Sequence, residues 1–290
     1  MRLRQFSLIN SLILLILFSA IGFAVYYATY FWRPSDHEKE SPAEGSFKIA
    51  TLNVGGFRHL VEPAETANLI QYIAKENKVD IFCMQEVYLG QELTPEIFRN
   101  LFKKQFPYII IDNDEAILSK FPIIDRKQTD FENSDNSYSW NDVKVGSDTL
   151  RLINIHFQTT GLHSAQKVMN MRKKKDPSIL ASVTFRNAEV RKYQAHLVQR
   201  DIYTSPHKTI IVGDFNAIPL SKAYRMIKAD NIRDCFMEKG VGFGGSFRGI
   251  YDIVRIDYIM HDEGLSCYEY KTLDDYVSDH KMVTAVLKVN

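Results

Sequence analysis

Gly213-Asp214-Phe215-Asn216 closes the apolar run Ile210-Ile211-Val212. On an extended backbone, residues two apart face the same side, so Asp214 and Asn216 would present a carboxylate and an amide together, suited to gripping a water and a phosphate oxygen. The same residue types also make plain turns. Ser278-Asp279-His280 precedes the last apolar run. A carboxylate bonded to one imidazole nitrogen fixes the tautomer and supports the charged ring, which suits acid–base work. Asp257, in Arg255-Ile256-Asp257-Tyr258, is another candidate carboxylate. Glu86 ends the apolar stretch that begins at Val79. It either marks where a strand meets the surface or supplies a hard oxygen to Mg²⁺, which takes one or two carboxylates together with water and substrate phosphate. His156, in Leu152-Ile153-Asn154-Ile155-His156, would by default be structural, and Asn53 before Gly55-Gly56 reads alone as a turn.

What unites these positions is their setting. Most stand at the carboxyl end of an apolar run, where side chains leave a core and can converge on one cleft. Short runs rich in Val, Ile and Phe predict strands at 47–54, 79–84, 108–111, 115–118, 142–145, 150–157, 209–213, 254–260 and 282–288. Amphipathic stretches predict helices near 64–76, 92–104, 181–203 and 220–229. Strands interspersed with helices, with short and long connections mixed, predict an α/β fold whose sheets are not purely parallel. The polar stretch 159–180, with Arg172, Lys173, Lys174 and Lys175, predicts a long loop.

The amino end differs from the rest. From Gln5 to Trp32 no residue is charged, and Leu12–Trp32 is almost continuously apolar, about the length of a bilayer-spanning helix. Arg2 and Arg4 precede it, and Tyr26, Tyr27, Tyr30, Phe31 and Trp32 gather at its far end like an interfacial belt. The expected organisation is a cytoplasmic segment 1–11, a transmembrane anchor 12–32, a polar linker 33–46 and a catalytic domain 47–290 outside the cytoplasm. A cleaved signal peptide and a buried helix are the rival readings. The 290 residues, 45% of them hydrophobic, can bury a substantial core. The 36 Lys and Arg against 35 Asp and Glu leave a charge of +1, without the global basicity of a dedicated nucleic-acid binder. Cys83, Cys235 and Cys267 are too few and too irregular for a disulfide framework or zinc site.

In their order, seven stretches resemble the endonuclease/exonuclease/phosphatase superfamily: Thr51-Leu52-Asn53-Val54, Gln85-Glu86-Val87, Ile117-Leu118-Ser119-Lys120-Phe121-Pro122-Ile123, Asn154-Ile155-His156, Gly213-Asp214-Phe215-Asn216, Arg255-Ile256-Asp257-Tyr258 and Ser278-Asp279-His280. The resemblance covers 47–288. It implies a four-layer sandwich, two mixed β-sheets packed face to face with helices outside, and an active site at one edge of the sheets. It also implies Glu86, Asn53 and Asp279 as ligands of Mg²⁺ or Mn²⁺. Asp214 would orient or deprotonate water, with His280 as the rival base; Asn216 would hold a phosphate oxygen. Asp257 would orient His280, and His156 would stabilise phosphoryl oxygens or protonate the leaving group. Two departures stand out: Gly55 where many nucleases of the superfamily carry Asp, and Glu115 where Gly is common.

The expected activity is hydrolysis of phosphodiesters or phosphomonoesters by a monomer. Nucleic acid, a phospholipid headgroup and an inositol phosphate all remain as substrates. Arg172–Lys175 with Phe185, Arg186 and Arg191 would make part of a nucleic-acid groove or simply a solvated face. A membrane anchor would suit a lipid substrate. The alternative of another class is a non-catalytic, membrane-tethered binding protein on the same fold.

Overall fold

The computed structural model describes residues 2–34, 41–60, 62–161, 177–228, 231–249 and 253–290. The basic run Arg172–Lys175 and part of the linker lie outside these residues. The strands are β1 (Phe47–Asn53), β2 (Ile81–Gln85), β3 (Tyr108–Asp112), β4 (Glu115–Ser119), β5 (Ile123–Asp130) and β6 (Ser137–Val145). They continue with β7 (Asp148–His156), β8 (Lys208–Asp214), β9 (Ile232–Asp234), β10 (Asp257–Asp262), β11 (Leu265–Thr272) and β12 (Val283–Val289). One sheet has the order β11-β12-β1-β2-β4-β3, the other β5-β6-β7-β8-β10-β9. Each mixes one parallel pair, β1/β2 or β7/β8, with antiparallel neighbours.

The sheets face each other across an apolar layer in which Ile49, Ile81 and Ile117 of the first meet Leu152, Ile210 and Ile259 of the second. Helix α1 (Arg2–Phe31) precedes the sandwich. On the outer face of the first sheet lie α2 (Pro63–Glu76) and α3 (Pro95–Phe102), packed through Ile70, Ala74, Phe98 and Phe102. On the outer face of the second lie α4 (Pro177–Tyr203) and α5 (Lys222–Ile227), through Ala195, Val198, Tyr224 and Ile227. A short α6 (Cys235–Lys239) packs beside β11. The result is the expected four-layer arrangement.

Several boundaries differ from the expectation for physical reasons. β5 is an edge strand with an exposed middle, so it carries no apolar alternation to read. In β11 a register shift between Cys267 and Glu269 breaks the period of two. β6 begins at Ser137 rather than 142 because its buried Ser137, Ser139 and Asn141 face other polar groups. β10 starts at Asp257, with Val254 in an isolated bridge to Phe247.

Exposed apolar side chains such as Leu15, Phe18, Ile21 and Val25 surround α1. Among the described residues no helix is long and apolar enough to cross a membrane, and several side chains of α1 are outside that set. The helix joins the body through Arg33, whose backbone pairs with Gly242 by two 2.8 Å hydrogen bonds. All three cysteines are free and buried.

Candidate active site

Strand register alone aligns three of the sequence-selected residues. The parallel pairing of β7 and β8 sets His156 beside Asp214, and the antiparallel pairing of β8 and β10 sets Asp214 beside Asp257. The approach of β7 to β8 requires Gly213, at φ +126°, because a Cβ there would lie 2.1 Å from the Ile155 carbonyl oxygen. In the opposite sheet Asn53 pairs with Gln85, so Glu86 emerges one residue beyond the rung. Asn53 closes the gap between the sheets: its Nδ2 donates to Glu86 Oε1 at 2.8 Å and to Asp214 Oδ2 at 3.0 Å. Glu86 and Asn216 both adopt left-handed φ, +55° and +48°. Such conformations cost free energy in non-glycine residues and persist where surrounding structure enforces them.

His280 reaches Asp214 from the turn before β12. Its Nδ1 lies 2.9 Å from Asp257 Oδ2, and its Nε2 is 3.8 Å from Asp214 Oδ2. Burial alone would depress the imidazole, but the charges of Asp257 and Asp214, the bond to Asp257 and the charge of Asp279 push it up to about 10. The turn itself is tied down. Ser278 Oγ donates to the Asn53 carbonyl at 2.7 Å, Arg248 Nε donates to the Ser278 carbonyl at 3.2 Å, and Phe247 packs edge-on against His280. Asp279 stands by Gly55, where a Cβ would lie 3.6 Å from its Oδ1. An acidic group thus approaches the position where many nucleases of the superfamily resembled by the sequence carry Asp.

Asp214 is wholly buried. Its Oδ1 accepts from the Asn216 backbone N–H at 2.7 Å, and its Oδ2 from Asn53 and, at 3.1 Å, from Asn216 Nδ2. Burial raises its carboxyl, assisted by Asp257 and opposed by His280, His156 and the Asn53 bond. Asp214 and Asn216 do converge, but by a turn after the strand end rather than along an extended backbone. Asn216 Nδ2 also donates to the Phe157 carbonyl at 3.0 Å, so both of its amide N–H groups are used within the protein.

His156 discloses residues that the sequence left unmarked. Its Nδ1 lies 2.7 Å from Asp114 Oδ2, its Nε2 2.9 Å from Asn136 Nδ2 and 3.6 Å from Glu86 Oε1. Burial opposes protonation of the ring, yet the Asp114 bond and the charges of Asp214, Asp114 and Glu86 outweigh it and raise the imidazole. Asp114 lies on the β3–β4 turn, where the only sequence signal is the adjacent pair Asp114-Glu115. Glu115, the second departure from the superfamily pattern, is buried between the sheets. It accepts from Ser139 Oγ at 2.7 Å and from Asn154 Nδ2 at 3.1 Å. Burial first, then the charge of Asp114, pushes its carboxyl well up, against the bonds from Ser139, Ser137 and Asn154.

Among the described residues, Glu86, Asp114, Asp214, Asp257 and Asp279 gather around the imidazoles of His156 and His280. The Tyr88 hydroxyl is pushed up to about 12 by burial and by the charges of Glu86, Asp114 and Asp135. A negative pocket lined by hard oxygens fits Mg²⁺ or Mn²⁺ better than a soft-ligand metal. Asp214, Asp257 and His280 can each offer one atom within a 4.8 Å set. Asp257, however, is fully buried and committed to His280, whereas the Glu86 side chain is 29% exposed, which leaves room for a cation's remaining waters.

Residues 50–280 match the Endonuclease/Exonuclease/phosphatase family. No curated protein sequence matches the chain significantly. Solved structures share its fold. An endonuclease/exonuclease/phosphatase family protein from Bacteroides thetaiotaomicron superposes with a TM-score of 0.60 at 16% identity, covering 86% of this chain and 96% of its own. A humanized TDP2 from D. rerio gives 0.62 at 12% identity, covering 85% and 100%. A mannosyl-6-phosphatase from B. thetaiotaomicron VPI-5482 gives 0.60 at 17%, covering 83% and 99%.

Proposed function

Because the chain belongs to the endonuclease/exonuclease/phosphatase family, we propose that it is a Mg²⁺- or Mn²⁺-dependent phosphoesterase that directs water onto a phosphodiester or phosphomonoester. The observation that carries this reading is the meeting of the two sheets at Asn53, which bonds Glu86 of one wall and Asp214 of the other. Glu86 and Asp279 would hold the cation, with Asn53 Oδ1 as a third oxygen; that atom accepts one bond from Gly55 N–H and keeps a second lone pair. When bound, such a cation neutralises charge developing on the phosphoryl oxygens and makes nearby water more acidic.

The protein's own groups divide the remaining work. Asp214, fixed by three N–H donors, orients the attacking water and takes its proton. Asp257 holds His280 so that Nε2 points into the pocket toward the phosphate. His156, oriented by Asp114, serves the leaving-group side. A non-catalytic binding protein would have no use for this complete set of acids, bases and oriented partners.

Mannosyl-6-phosphatase and TDP2 folds do not choose the substrate. A panel of DNA, RNA, sphingomyelin, phosphoinositides, a sugar phosphate and a chromogenic diester, each with and without chelator, would do so. Turnover of at least one, abolished by chelator and restored by Mg²⁺ or Mn²⁺, is expected; no turnover on any would favour the binding reading. We also read α1 as a membrane attachment, with the body outside the cytoplasm. Its exposed apolar side chains and the uncharged stretch Gln5–Trp32 support this. Release of the full chain from membranes by alkaline carbonate would sink it.

A further inference from the structure

Among the described residues three arginines are buried, and they are not treated alike. Arg151 lies 2.8 Å from the Asp142 carboxylate, and Arg255 lies 2.7 Å from that of Asp234. Each buried cation thus has a buried anion, as desolvated charges require. Arg191, with 6% of its surface exposed, has none: among the described residues no carboxylate lies within 4.0 Å, and its one protein hydrogen bond goes from Nη1 to the neutral Gln158 carbonyl at 2.9 Å. A guanidinium offers five N–H groups in a planar fork, so most of its donor capacity is unspent.

Its surroundings place it at the site. Asn187, Arg191 and Gln194 form the polar stripe of α4 and bind successive backbone groups just after His156: the Thr159 carbonyl, the Gln158 carbonyl and the Gln158 N–H. In the same segment the Phe157 carbonyl accepts from Asn216, and the Phe157 N–H donates to the Asp214 carbonyl. Burial pushes the Arg191 guanidinium down from its ordinary pKa, and the counter-charge that opposes this is that of Asp214. The site has one further need. Asn216, the expected phosphate donor, has both amide N–H groups occupied.

We propose that Arg191 is the phosphate-binding cation of this site, its free N–H groups taking a nonbridging oxygen of the phosphoester and, after hydrolysis, of the product phosphate. This rests on the phosphoesterase reading above. It also reassigns Arg191, which the sequence would place in part of a nucleic-acid groove or on a solvated face, to the pocket wall. A fork matched to two phosphate oxygens explains the choice of Arg over Lys.

The test uses the full chain as wild type, Arg191→Met and Arg191→Lys, with inorganic phosphate as the probe. Phosphate affinity is read by thermal shift and ³¹P line broadening, beside kcat and KM on whichever panel substrate the wild type cleaves. Arg191→Met should weaken phosphate binding tenfold or more and lower kcat/KM at least as much. Its melting temperature without phosphate should equal or exceed that of wild type, because a buried charge with no carboxylate in contact has been removed. Arg191→Lys, which retains charge without the fork, should fall between and covers the case in which Arg191→Met does not fold. Phosphate affinity within threefold of wild type in folded Arg191→Met, or wild-type affinity in Arg191→Lys where Arg191→Met does not fold, overturns the proposal, as does a lower melting temperature with unchanged affinity, the mark of a mere brace for Gln158. A wild type that binds phosphate through Arg191 but hydrolyses nothing would defeat the phosphoesterase reading and leave the proposal standing. A wild type that does neither defeats both.

Discussion

Replacing Asp114 with Asn preserves shape and removes one charge, and its consequence can be worked from the bond it touches. Asp114 Oδ2 is 2.7 Å from His156 Nδ1, with side-chain exposures of 4% and 2%, so the contact is desolvated and geometrically good. Hydrogen bonds involving an ionised partner contribute about 1.5–3 kcal/mol. If that support is delivered to the transition state through His156, kcat/KM should fall by roughly 10- to 100-fold. Folding should change little, since the Asn carbonyl oxygen can still accept from the ring while its amide N–H donates to Ser137 Oγ, the hydroxyl that now donates to Asp114 Oδ1 at 2.6 Å. The assay is steady-state hydrolysis of a chromogenic diester at saturating Mg²⁺, with melting temperature as the control. A double-mutant cycle with His156→Ala sharpens it: once the imidazole is gone, Asp114→Asn should cost almost nothing more. Activity within threefold of wild type in the single variant, or full additivity in the cycle, would refute the idea that Asp114 acts through His156.

Two further perturbations probe the frame. The Asp275 carboxyl is only 7% exposed, and burial pushes it up from its ordinary value of 3.8 to about 6 against the charge of Arg248 and two backbone bonds. A raised folded pKa means stability present below about pH 4 and lost as pH rises through about 6, a swing of about 3 kcal/mol. Asp275→Asn should therefore melt higher than wild type at pH 7.5 by differential scanning fluorimetry and show no advantage near pH 4. Gly213→Ala forces a Cβ to within 2.1 Å of the Ile155 carbonyl and should destabilise by about 3 kcal/mol or more, measured by urea unfolding; a loss under about 1 kcal/mol would contradict the strand register given for β7 and β8.

Much of this molecule was legible in its sequence because the motif residues sit where apolar runs end, and a run can be read locally. Asn53, Glu86, His156 and Asp214 are all positioned by the last rung of a strand or the residue after it, so spacing and type sufficed to select them. Asp114 and Asn136 were not legible, because each reaches His156 from 42 and 20 residues away through pairings that no local pattern records. Arg191 was visible as a charge, but its burial depends on where α4 lands on the second sheet. Asn216 was selected for a sound chemical reason on the wrong backbone, since the left-handed turn at φ +48° spends its amide on Asp214 and Phe157. Glu115 acquired a physical role only when Ser137, Ser139 and Asn154 were seen to enclose it.

The most direct test of the account is the activity of purified Glu86→Ala and His280→Ala on the best substrate of the panel, titrated with Mg²⁺ and Mn²⁺ after chelation. The account predicts metal-dependent turnover in the wild type and a loss of at least 1,000-fold in kcat/KM in both folded variants, on the order expected when a metal ligand or an oriented imidazole is removed. Turnover close to wild type in either variant, or turnover of the wild type that chelator leaves untouched, would contradict it.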